Sequence, residues 1–224
     1  MTCDQLFGRG TNRRPIDRDR FDRLVSGREI VRSWLRRAWR QRNASPTDCF
    51  EPFIFTWIAF NGWGESVTGE ESDRGWLRQV SSDIELVRAF AAQVSAGAEV
   101  GRAVADFQRH WPIPKAQDLR ARQFSVPYST PWQETASLYT EHTVAHEPGC
   151  AAFHADLDEE IPNDWRHFLA ALYRVRCNLF HGEKDPYYIP DQEVVHAGML
   201  ALLHFLVATD CFGDFQDEHF SREL

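Results

Sequence analysis

The sequence predicts an all-α fold, and three observations predict it. Apolar residues recur at three- and four-residue steps along most of the chain, no segment alternates as a half-buried strand does, and one helix-length segment is apolar around its whole circumference. With 224 residues and 43% hydrophobic content, the chain can bury a substantial core and is too apolar for general disorder. The formal charge of −8 argues against an indiscriminate nucleic-acid binder. It hides an asymmetry, however. Residues 1–43 hold twelve arginines against five acids, a net +7, which leaves about −15 on the remainder. A basic limb on an acidic body is a partner-binding pattern. Lys115 and Lys184 are the only lysines, so positive charge here means guanidinium, which suits two-point contact with phosphate.

Taken in order, residues 1–16 read as a flexible basic arm with Gly8, Gly10 and Pro15, and residues 17–224 as a single helical domain. The first helix is expected over 17–42, with Phe21, Leu24, Val25, Val31, Leu35 and Ala38 on its apolar face. Arg28, Arg32, Arg36 and Arg40 form a second stripe at four-residue steps, either a solvated face or an RNA contact. The all-round apolar helix follows in FEPFIFTWIAFNGWGE, with Thr47 or Asp48 as its cap and Glu51 placed for a capping box. Asn61 is its odd polar member, expected either to anchor a neighbouring backbone or to touch a site. Helices over 74–93 and 99–109 come next. Residues 111–163, punctuated by six prolines, read as an irregular insertion. Asn163 or Asp164 then caps a helix running to His181, and a last helix spans about 192–212. The tryptophans, Trp132 included, fall mainly on helix faces and read as core or interface. The apolar run Val194–Ala208 is too short to span a bilayer, so no membrane partner is expected. The polar, Arg-rich start is not a secretory signal, and five scattered cysteines without a C-x-x-C pair suggest a reduced, cytoplasmic protein.

The chemistry concentrates in LYRVRCNLFHGEK, residues 172–184. At about 100° per residue, Arg174, Asn178 and His181 share the face opposite the apolar stripe, whereas Arg176 falls inside the stripe. An arginine there needs a partner or a function, because desolvating an unpaired guanidinium costs several kcal/mol. Gly182 ends the helix, which leaves His181 in its last turn. The plain reading is a structural helix end, with His181 against the helix dipole and Arg176 bridged to an acid.

These residues resemble the HEPN family of helical-bundle ribonucleases, whose signature is Arg, four to six residues, then His, near a helix end. Arg176–His181 matches the four-residue form and Arg174–His181 the six-residue form, and FIFTWIAFNGW is similar to the aromatic second helix of several HEPN groups. The resemblance covers about residues 20–110 and 160–212 and excludes the insertion. It implies metal-independent RNA cleavage without a cofactor. His181 would exchange protons with the ribose 2′-OH and the leaving oxygen, Arg176 would steady the phosphate, and Arg174 and Asn178 would support them. It also implies a homodimer in which two motif helices line one cleft, a defence or toxin role, and an antitoxin or other regulatory partner. Arg28, Arg32, Arg36, Arg40 and Lys184 are then candidate RNA contacts. Two departures stand out. Cys177 occupies the position after Arg176 where the family usually carries a polar residue, and His181-Gly182-Glu183 differs from the His-x-Tyr of the subclass silenced by nucleotidylation. The first departure motivates an alternative, a HEPN-like module that binds RNA or a protein without cutting. The net acidity motivates another, a purely structural or regulatory helical subunit.

A second constellation lies in the insertion, where His142, His146, Cys150 and His154 recur every four residues. They are weak metal candidates beside the plainer reading of exposed histidines, and the nuclease chemistry does not call for a metal. No glycine-rich phosphate loop, G-x-S-x-G elbow or H-E-x-x-H pair is present.

Overall fold

The computed structural model describes residues 15–97, 99–121, 145–209 and 211, and the all-α expectation holds there. Ten α-helices lie among the described residues: α1 (Arg18–Arg23), α2 (Val25–Arg40), α3 (Phe50–Thr68), α4 (Asp73–Val80), α5 (Ile84–Ser95), α6 (Glu99–Gln108), α7 (Ala116–Ala121), α8 (Ala151–Asp156), α9 (Trp165–Phe180) and α10 (Ile189–Ala208). The strands among the described residues are a two-residue antiparallel pair, β1 (Ile113–Pro114) and β2 (His146–Glu147). The arm over 1–16 lies outside the described residues apart from its last two.

The helix apolar on all sides does lie at the centre. Phe53, Trp57, Phe60, Trp63 and Val67 of α3 are all buried, with α2 and α10 packed along it. Burying aromatic side chains of this size supplies about 1.5–3 kcal/mol each. Phe60 stands edge-on to Trp76 at 5.1 Å, and Trp165, the first residue of α9, meets Phe205 of α10 at 4.6 Å. Gly64 makes the α3–α4 contact possible, since a Cβ there would lie 2.4 Å from the Trp76 ring. The indole N–H of Trp165 donates to the Val80 carbonyl at 3.0 Å. Five of the tryptophans are buried, Trp34 and Trp39 are half-buried, and Trp132 lies outside the described residues.

The sequence expectations fail at several boundaries. The 17–42 helix breaks at Leu24, whose ψ of 65° is not helical. The break turns Phe21 into the core against α3 and leaves Leu24 and Val25 exposed rather than on the apolar face. The 74–93 helix also divides. Asp83 caps a new helix by accepting from the Leu86 N–H at 3.0 Å, a capping signal hidden in Ser81-Ser82-Asp83. The capping box at α3 does not form, because Asp48 accepts from Ser45 and Glu51 from Gln41. Asn61 donates to Glu65 on its own helix, at 2.7 Å, rather than to a neighbouring backbone. No helix of the described residues is long and apolar enough to cross a membrane.

Candidate functional site

Helix α9 carries the candidate residues, and its two ends are built from local signals. Asp164 caps the start, its carboxylate accepting from the N–H groups of Arg166 and His167 at 3.0 Å each. The far end closes as a complete Schellman turn: Glu183 N–H donates to Asn178 C=O at 2.8 Å, and Gly182 N–H to Leu179 C=O at 3.0 Å. Gly182 holds φ +69°, a left-handed conformation that favours glycine. This turn makes His181 the C-cap residue and leaves its ring exposed.

Arg176 has the partner its position demanded. Its guanidinium lies 3.1 Å from Asp73 of α4 and over the rings of Trp57, Tyr173 and Phe180, with Phe180 nearest at 4.8 Å. It remains partly exposed at 22%, so a charge fixed on an aromatic bed still reaches solvent. Cys177 sits beside Tyr173, whose hydroxyl is pushed up to about 12 by burial and by the neighbouring Cys177.

The opposite face of α9 is not open. The β1–β2 strap from the insertion covers it. Asn178 is buried there, its amide donating to Pro114 C=O at 2.8 Å and accepting from Ala116 N–H at 3.2 Å. Arg174 lies 3.9 Å from Glu147 of β2, both side chains only 14% exposed. Burial pushes the Glu147 carboxyl up to about 7, against the pull of Arg174, the Gly149 N–H and Arg74. The structure therefore separates the four motif residues into three settings. Arg176 faces α3 and α4, Arg174 and Asn178 face the strap, and His181 stands at the open tip. Arg176 and His181 are five residues apart, roughly 140° around the helix.

The outlying cations are mostly committed. Lys184 is nearly buried and hydrogen-bonded to Asp191. Arg28 lies 3.5 Å from Asp22, and Glu29 takes Arg32 at 3.4 Å and Arg36 at 3.8 Å. Arg40, at the end of the stripe, is exposed.

The histidine-rich segment is rearranged relative to its four-residue spacing. His142 lies outside the described residues, and His146 is on β2. Cys150 and His154 instead converge with His167 of α9, a residue that the sequence does not mark as a ligand. The overlooked signal is His167 standing three residues after the Asp164 cap, on the helix turn nearest the insertion. Cys49, Cys177 and Cys211 are free, while Cys150 is disulfide-bonded, so the expectation of wholly reduced cysteines fails at Cys150. Burial pushes the Cys49 thiol up to about 12, which keeps it protonated and unreactive.

Comparisons with known proteins return nothing: no family model, curated protein or solved structure matches the chain.

Proposed function

We propose that the protein is a metal-independent endoribonuclease of the HEPN type, cutting RNA with the tip of α9. The observation that carries the reading is an exposed His181 near the same helix end as a guanidinium, Arg176, held on Trp57, Tyr173 and Phe180 and tethered by Asp73. A charge fixed before the substrate arrives needs no reorganisation when negative charge builds on phosphate. His181 passes the proton between the ribose 2′-OH and the leaving oxygen. RNA supplies its own nucleophile, so the reaction uses no metal-bound water.

One copy of the motif points Arg176 and His181 in different directions. The reading therefore calls for a two-fold homodimer in which Arg176 of one protomer and His181 of its partner line one cleft. Phe180, Tyr187 and Ile189 bracket His181 in the chain and are exposed, which supplies apolar surface for that contact. Asn178 and Arg174 act by fixing the strap against α9. A cytoplasmic defence or toxin role, restrained by an antitoxin, fits such an activity.

The test incubates purified protein with total RNA and tRNA in excess EDTA, beside His181→Ala and Arg176→Ala. Products with 2′,3′-cyclic phosphate ends, lost in both variants while helicity is retained, are expected. A second reading, an RNA- or protein-binding module that does not cut, is favoured by Cys177, which sits in the usual polar position and is turned towards Tyr173. It predicts salt-sensitive RNA retention with no product.

A further inference from the structure

We propose that the reduced protein binds one zinc ion through Cys150, His154 and His167, pinning the insertion to the start of α9. The sulfur and one ring nitrogen from each histidine lie within 4.8 Å of one another. Tetrahedral zinc holds sulfur at about 2.3 Å and nitrogen at about 2.0–2.1 Å, so its ligand atoms stand roughly 3.3–3.7 Å apart. Side-chain adjustments of about 1 Å close the cluster on an ion. All three residues are nearly buried, Cys150 at 1%, His154 at 9% and His167 at 7% exposure, which is the closed environment of a structural site.

The surroundings match what zinc-bound histidines need. Nδ1 of His167 lies 2.8 Å from an Asp164 carboxylate oxygen, and Nδ1 of His154 lies 3.6 Å from Glu159. A carboxylate beside a ring nitrogen is the kind of neighbour that orients a zinc-bound histidine. The two rings stand edge to face with centroids 6.3 Å apart, so both can address one point. Thiolate with imidazole is a donor set that selects zinc over the hard cations.

Cys150 is disulfide-bonded in the structure, and a disulfide sulfur is not a thiolate. A dithiol reductant opens the bond with two electrons and two protons and becomes a disulfide itself. Zinc then displaces the proton of the freed Cys150 thiol as it binds. One sulfur and two imidazoles fill three corners of the tetrahedral shell and leave the fourth for a further ligand. The site is thus zinc-loaded when reduced and closed by a disulfide when oxidised. It lies about 21 Å along α9 from His181, taking 1.5 Å per residue, so it plays no part in cleavage. The proposal does not rest on the ribonuclease reading.

The experiment is a cobalt(II) titration of the full chain. A phosphine reductant first takes up oxygen from water and leaves the Cys150 thiol free. Expected are intense tetrahedral d–d bands and a thiolate-to-cobalt charge-transfer band, saturating at one ion per chain and displaced by zinc. Cys150→Ser and His167→Ala should each lose the charge-transfer band or the tetrahedral bands, and Cys211→Ser should keep both. If a variant does not fold, the wild-type titration still decides. Protection of Cys150 from alkylation by zinc, read by mass spectrometry, provides a second measurement. A reduced wild-type protein that shows no charge-transfer band overturns the proposal, whether it is folded or unfolded. So does a spectrum that survives Cys150→Ser.

Discussion

Both ends of α9 carry a histidine, and they hold it in opposite settings. At the N-terminal end His167 is enclosed, backed by the Asp164 carboxylate and packed toward Cys150 and His154. At the C-terminal end His181 caps the helix on a glycine turn with its ring in solvent. The residue type is the same, so the difference comes from the next residues in the chain. His167 leads into Phe168 and Leu169, which bury the helix at once, whereas Gly182 ends it and His181 stays exposed. An imidazole needs solvent or substrate access to exchange protons during turnover, and needs burial to act as a fixed ligand or strut.

The largest expected effect breaks the comparison at the open end. His181→Ala should lower RNA cleavage by about 10²–10⁴-fold, the usual contribution of a positioned acid–base group. Its melting temperature should stay near the wild-type value, because the exposed ring packs against nothing that defines the fold. Asp164→Ala, at the closed end, should instead read out in stability. It removes two cap hydrogen bonds, at about 1 kcal/mol. A His181→Ala protein that unfolds would assign that end to structure too and erase the contrast.

Between the two ends lies the strap, and it gives the next effect, which depends on pH. Burial raises the Glu147 carboxyl from 4.5 to about 7, so the folded state holds its proton more tightly than the unfolded state does. This group's contribution to stability is therefore full below about 4.5 and is lost as pH rises through 7. Glu147→Gln imitates the protonated form. Its unfolding free energy should match wild type near pH 4.5 and exceed it above pH 7, by on the order of 3 kcal/mol at most. Denaturant titrations across that range check it. Equal stability of the two proteins at every pH would mean that Glu147 is solvated and the strap lifts away from α9.

Most of the fold was legible in the sequence, and the reasons why some was not are local. The central helix showed itself because no polar face interrupts Phe53 to Phe60, and the α9 boundaries because Asp164 and Gly182 are strong cap residues. The break at Leu24 was hidden, since a helix that bends to bury Phe21 keeps the same apolar spacing on both sides of the bend. The candidate site was half legible. Arg176 announced a partner by sitting in an apolar stripe, but Asp73 lies far back in the chain and only packing brings it near. Arg174, Asn178 and His181 share a helix face by arithmetic. Periodicity does not reveal that a two-residue strand pair covers the first two and leaves the third bare.

The strap's hold on the open end can be sharpened at Asn178. Its amide satisfies Pro114 C=O and Ala116 N–H together, and Asn178→Ala leaves both backbone groups to find water. A loss of about 2 kcal/mol is expected, with faster amide exchange at Ala116. If cleavage falls in parallel with that loss in the folded fraction alone, Asn178 is a strut. A further drop in rate per folded molecule would give the strap a part in shaping the site.

On the ribonuclease reading, the smallest effect concerns which cations outside α9 meet RNA. Arg28, Arg32 and Arg36 are matched by Asp22 and Glu29, so removing any of them also frees an acid, and the net change near the helix is small. Arg40 is exposed at the end of the stripe. Arg40→Ala should weaken RNA binding uniformly across sequences and reduce the slope of log affinity against log salt by about 0.7–0.9, the value of one phosphate contact. Arg32→Ala should change that slope by much less. A larger change for Arg32 than for Arg40 would mean that Glu29 swings away when RNA arrives. The full stripe of four would then act as one surface, and RNA would run from α2 toward the tip of α9.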